Sequence, residues 1–267
     1  MDFFFQWPWF NQKVYMVYRV VLGISMVTWI VADFYYESQM FYKHKKWIYL
    51  VYATNWSFIL LGITTVFQAV CVLFYCKRSS FCIDHQSFER MPPSLKVLWM
   101  LQNLSYCSAI VVSISYWSFI AFLEDENVLQ SDMSRLKHTL NSLYVILEIL
   151  ISATPFRILH LFFTVMLGSI YSLFNAIYFL NDGTILEGRH YAYNVLNWLN
   201  PAEAIITCLI CIVQAIVSQT LLYYIYRLRI WIYLTKYFKK QMVEYDEFES
   251  EMRGIMTGST SYTTEST

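Results

Sequence analysis

The sequence predicts an all-α integral membrane protein, a six-helix bundle with both termini in the cytosol. Three observations carry that prediction. Of 267 residues, 57% are hydrophobic and only 14% charged, against roughly 45–50% and about 25% in a soluble domain. The apolar residues fall in runs of about 20, the length an α-helix needs to cross roughly 30 Å of hydrocarbon. The alternating pattern of barrel strands is absent, which leaves helices to satisfy the backbone in lipid. A soluble enzyme, a disordered chain and a disulfide scaffold are thereby excluded. Nineteen basic and nineteen acidic residues balance, so no overall field marks a nucleic-acid binder.

The first predicted helix runs from Val14 to Phe34, the second from Trp47 to Tyr75 and the third from Val97 to Leu123. The fourth, Leu136 to Ala153, is short and contains Glu148, and Pro155 limits its end. The fifth covers Ile158 to Leu180, and the sixth runs from Leu199 to beyond Tyr226. Trp and Tyr cluster near the ends of these runs, the depth at which their amphipathic rings settle. Residues 1–240 form the membrane domain in this reading. Residues 241–267, acidic through Glu251 and then Ser/Thr-rich, form a disordered cytosolic tail. The start, MDFFFQWPWF, has no basic region before a short apolar core, so the first helix is expected to act as an uncleaved anchor.

Basic residues set the orientation. With the N-terminus inside, the inner segments carry Lys13, Arg19, Lys77, Arg78, Arg90, Lys96, Arg157, Arg227, Arg229, Lys236, Lys239, Lys240 and Arg253. The outer loops carry Lys43, Lys45, Lys46, Arg135, Lys137 and Arg189, so the inner side leads by about two to one.

The six cysteines avoid the outer loops and do not form a disulfide pattern. Cys208 and Cys211 are spaced as two positions on one helix face, which points to packing, and Cys76 and Cys82 lie where palmitoylation could occur. The sequons at Asn55 and Asn103 fall inside predicted helices and are expected to stay unmodified. No metal-ligand spacing and no phosphate-binding loop is present, so neither a metal nor a cofactor is expected.

Ionisable groups at membrane depth each need a reason. Glu148 is read as a neutral, hydrogen-bonded carboxyl joining two helices, which predicts that glutamine would replace it well. Asp33, Glu203 and Gln214 read similarly, the first and second near helix ends. Thr54 lies about 10 Å past Trp47, and His138 lies in the first turn or so of the fourth helix. Both therefore sit under the outer face. A hydroxyl beside an imidazole is the smallest unit of nucleophilic acyl transfer. Asn141, one turn on, could orient the ring, and Asn55 or Ser57 could donate to an oxyanion. Ordinary alternatives stay open: a Thr hydroxyl bonded to a carbonyl one turn back, and a solvated His.

Several segments resemble the rolling stone family of multi-pass membrane proteins. They are YATNWSFILLGITTVFQ, the long stretch from KHTLNSLYVILEIL to FLNDG with its Pro-Phe-Arg turn, and YAYNVLNWLNPAEA, where Asn194 replaces the Pro expected after the Tyr. The resemblance covers most of residues 47–205. That family is in turn distantly similar to the androgen-induced and androgen-dependent transmembrane proteins, six-span hydrolases of fatty acid esters of hydroxy fatty acids. Their Thr nucleophile matches Thr54, with Ala53 in place of a Leu. Their His, followed by Thr and ten residues later by Glu, matches His138, Thr139 and Glu148.

The resemblance implies Thr54 as nucleophile and His138 as base, with Asn141, Asn55, Ser57 and Glu148 supporting. The implied partners are membrane lipids and a fatty acyl ester substrate, with no nucleic acid and no protein partner specified. The implied site is the plasma membrane or the endoplasmic reticulum. Two rival functions remain: a non-enzymatic role in cell–cell (myoblast) fusion or adhesion, and, more weakly, a transporter or channel.

Overall fold

The computed structural model describes residues 11–42, 44–79, 92–124, 127–152, 154–185 and 188–259. Among these residues the structure is helical and contains no strand. Helix α1 spans Gln12–Glu37, capped by Asn11, whose side chain accepts from the Lys13 backbone N–H at 2.9 Å. It runs into a widened turn at Ser38–Tyr42, and a short 3-10 helix, Lys46–Val51, leads to α2, Ala53–Ser79. Helix α3, Pro93–Ser115, begins at a proline, which lacks the N–H that a first turn leaves unpaired. It widens at Tyr116–Ile120 and closes with a last turn at Ala121–Leu123. Helix α4, Asp132–Ile151, is capped by the Ser131 side chain and has Asp132 in its first turn, where the helix dipole favours an acid. Helix α5, Leu161–Leu180, follows a 3-10 turn at Ile158–His160. Helix α6 runs from Pro201 to Ser259.

Two units divide the chain at Ile225. In the first, α1 packs on α2, α2 on α3, and α3 on both α4 and α5. In the second, α6 continues as helix, with the Arg229 guanidinium 5.2 Å from the Tyr226 ring centre. Helix therefore extends into the segment read from sequence as disordered from 241, while residues 260–267 lie outside the described residues. Lys43, Cys82, Arg90, Asp125, Glu126 and Glu187 also lie outside them.

Five helical stretches among the described residues are long and apolar enough to cross a membrane: Lys13–Tyr42, Ala53–Tyr75, Pro93–Leu123, Ile158–Leu180 and Pro201–Lys236. They coincide with five of the six predicted spans. The sixth prediction, α4, forms a helix close to its expected bounds but is too polar to join that set.

Its polar residues explain this. Lys137, His138, Asn141, Glu148 and Ser152 are all buried, whereas Leu140, Leu143, Leu147 and Leu150 face outward. The other helices share the arrangement: Val17, Ile24, Val31, Leu173 and Val213 are exposed, while Arg19, Asp33, Thr65, Gln68, Asn103 and Gln219 are buried. Apolar outside and polar inside is what lipid as solvent demands. The protein is a multi-pass membrane protein.

Two charges lie elsewhere than the basic-residue count placed them. Arg19 is not an inner loop charge but is wholly buried in α1, and Lys137 is not an outer loop charge but is buried in α4. Asp33, near the end of α1, is fully enclosed as well. Each has a partner of opposite sign, the condition under which a buried charge is tolerable.

Candidate functional site

Thr54 is the second residue of α2, directly after the extended Tyr52–Ala53 junction, and is 8% exposed. His138 lies two turns into α4 and is 2% exposed. The fold brings them together: Thr54 Oγ1 is 3.5 Å from His138 Nε2, the outer limit of a hydrogen bond.

The imidazole is held on one face, and the backbone that carries it is held as well. Its ring stacks flat on Tyr116, centroids 3.9 Å apart and planes within 10°. Tyr116 opens the widened turn at the end of α3 and donates its hydroxyl to the Leu129 carbonyl at 3.0 Å. The His138 backbone carbonyl accepts from Ser113 at 2.7 Å and from Ser142 at 3.3 Å.

In front of Thr54 lies a cavity of ≈ 340 Å³, within the range of small-ligand pockets. Its walls are mostly apolar, with Trp56, Phe119, Leu167 and Ile212, and Ser57, Thr164 and Tyr193 add hydroxyls. Cys208 and Cys211 border this cavity. On the other side of Thr54 a void of ≈ 10 Å³ is bounded also by Glu37, Tyr42, Asn55, Ser134 and Lys137, room for about one water molecule.

Behind the pair sits a buried ionic cluster. Lys137 Nζ lies 2.6 Å from Asp33 Oδ2 and 2.8 Å from Glu37 Oε1, and it donates to Asn55 Oδ1 at 2.8 Å. Tyr49 donates to Asp33 at 2.8 Å and Tyr42 to Glu37 at 2.7 Å. Burial, and next the Asp33 carboxylate, push the Tyr49 phenol well above its ordinary pKa, so it stays a donor.

The other expected site residues fare differently. Ser57 lines the cavity beside Thr54. Asn55 is not available as an oxyanion donor, because its amide already donates to the Tyr49 carbonyl at 2.8 Å and to Glu37 at 3.5 Å. Asn141 is buried, but among the described residues it makes no hydrogen bond to the His138 ring, and its Oδ1 has no partner.

Glu148 joins two helices, as read, but as one half of an ion pair with Arg19 of α1. Tyr18 donates to it at 3.0 Å, and Arg19 donates to Tyr15 at 2.7 Å. Asn55 and Asn103, the two sequon residues, are buried.

Sequence reasoning missed Lys137, Tyr116 and Tyr193. The spacing of Asp33 and Glu37, one turn apart on α1, was the available signal for a buried cation opposite. Tyr116 and Tyr193 carry no local signature. Among the described residues no three His, Cys, Asp or Glu side chains gather as a metal site would require.

The family model described as Protein rolling stone matches residues 1–240. The chain is also 31% identical, over 185 residues, to Protein rolling stone of Drosophila melanogaster, covering 68% of this chain and 67% of that protein. No solved structure matches.

Proposed function

The chain belongs to the rolling stone family, and we propose that it is a threonine hydrolase of fatty acyl esters, working from within the membrane. The observation that carries this reading is the 3.5 Å approach of Thr54 Oγ1 to His138 Nε2 at the wall of an apolar cavity. His138 Nε2 takes the Thr54 proton as Oγ1 attacks the ester carbonyl carbon, and the carbonyl electron pair moves to its oxygen. Collapse restores the carbonyl and expels the alcohol, which leaves with the proton held by His138. Water then attacks the acyl-Thr54 ester with His138 again as base. Thr54 regains its proton and the fatty acid departs.

The ion pairs bear on topology. Asp33 meets Lys137 and Arg19 meets Glu148, so rising numbers in α1 meet falling numbers in α4. The two helices run antiparallel, as first and fourth spans must. Together with the excess of basic residues on the inner side, this supports six spans, both termini in the cytosol, and a site under the outer leaflet of the plasma or endoplasmic reticulum membrane.

The test is covalent labelling of the detergent-purified protein by an alkyl fluorophosphonate. Wild type should label and Thr54→Ala should not, because no oxygen remains to attack. Wild-type protein that neither labels nor hydrolyses any acyl ester offered would favour the non-enzymatic role in fusion or adhesion.

A further inference from the structure

Asn55 is committed to the Lys137 cluster, which leaves the oxyanion to the hydroxyls at the cavity wall, among them Ser57 and Tyr193. We propose that Tyr193 is the donor: its hydroxyl hydrogen-bonds the acyl oxygen as negative charge develops there. This rests on the hydrolase reading and adds a catalytic residue to it.

Three observations place Tyr193 in that role. It lines the same cavity as Thr54 and is only 3% exposed. Its ring is fixed edge-to-face against Tyr52, two residues before Thr54, at 5.7 Å and 83°. Its hydroxyl is buried and makes no hydrogen bond of good geometry among the described residues, although the Thr54 hydroxyl and the Thr54 and Ala53 amides lie near enough to act on its oxygen. Buried hydroxyls are nearly always paired, and one left open at a reactive cavity calls for a ligand group to fill it.

The electrostatics suit a donor. Burial pushes the phenol up to about 12, with the Thr54 hydroxyl and the backbone amides of Thr54 and Ala53 pulling the other way. The group therefore keeps its proton at physiological pH. Those amides belong to the first turn of α2, where N–H groups lack helical acceptors, and their field falls on the phenol oxygen. The phenol proton remains free to point at the substrate. In the tetrahedral intermediate, the former carbonyl oxygen carries the electron pair displaced by Thr54 Oγ1 and accepts this hydrogen bond. When the pair returns to re-form the carbonyl, the bond weakens, and Tyr193 ends the step with its proton unchanged.

The experiment compares wild type, Tyr193→Phe and Thr54→Ala on p-nitrophenyl octanoate and on an alkyl fluorophosphonate. Tyr193→Phe should lower kcat by about 10²–10³-fold, the usual effect of losing one oxyanion donor. KM should stay within about twofold, since the contact forms in the transition state. Its thermal midpoint in detergent should hold or rise, because an unpaired hydroxyl has been removed. Placing 3-fluorotyrosine at 193 gives a second readout: kcat should change with the acidity of the phenol, which a packing role would not produce. If Thr54→Ala abolishes turnover while Tyr193→Phe and the fluorinated variant match wild type, the role of Tyr193 is overturned and the hydrolase reading stands. If wild type and Thr54→Ala are equally inactive, the hydrolase reading fails and Tyr193 falls with it.

Discussion

Lys137 of α4 holds Asp33 of α1 at 2.6 Å while its neighbour in sequence, His138, faces Thr54 of α2. One turn of α4 thus serves two partners, an ionic anchor on α1 and the Thr54 hydroxyl on α2. The anchor should be testable apart from the chemistry. Lys137→Met leaves two carboxylates buried without a cation and should destabilise the protein by about 3–5 kcal/mol. Adding Asp33→Asn and Glu37→Gln should recover much of that loss, since no uncompensated charge remains. Thermal unfolding in detergent decides. Equal stability of Lys137→Met and wild type would mean the cluster carries no weight.

The second ion pair makes the opposite demand to a neutral carboxyl. Glu148→Gln and Glu148→Leu should both destabilise, because each strands Arg19, which is wholly buried. The double change Arg19→Leu with Glu148→Leu should be milder than either single, as buried pairs replaced by apolar residues often are. A double-mutant cycle with additive losses would show that the two side chains are not coupled.

If Thr54 and His138 act as proposed, His138→Ala should reduce fluorophosphonate labelling by roughly 10²-fold or more. Thr54→Ser should retain part of the labelling. The double change of Thr54 and His138 to alanine should be no worse than Thr54→Ala alone, because the two act as a unit. Tyr116→Phe should keep most activity, since the flat stack on His138 survives and only the bond to Leu129 is lost; Tyr116→Leu should not. Labelling rates per folded molecule, measured after detergent gel filtration, separate these cases.

Orientation has its own test. Single cysteines introduced between Lys77 and Lys96, or after Lys240, should react with an impermeant maleimide only after the membrane is opened. Reaction in sealed cells would reverse the orientation and move the Thr54 site to the inner leaflet.

The spans were legible because each writes itself as a continuous apolar run; Ile158–Leu180 was read to the residue. The meeting of Thr54 and His138 was legible too, because spacing puts both at one depth. The ionic core was not. A lysine six residues before the apolar run Leu143–Leu147 looks interfacial in one dimension. Only the α1 residues about 100 positions earlier make it a core residue. Arg19 was hidden for the same reason, its partner lying far along the chain in α4. Asn55 read as a free donor because its acceptors, the Tyr49 carbonyl and Glu37, come from an irregular turn and another helix.

The antiparallel ionic pairing of α1 and α4 also constrains how the protein is made. Lys137 is synthesised 100 residues after Glu37, an interval of about 5–20 s at ordinary translation rates. For that time α1 is in or near the bilayer with Arg19, Asp33 and Glu37 lacking the partners that neutralise them. Helix α4 in turn lacks the apolar content to enter lipid by itself. The two helices complete each other late, so biogenesis has a waiting step.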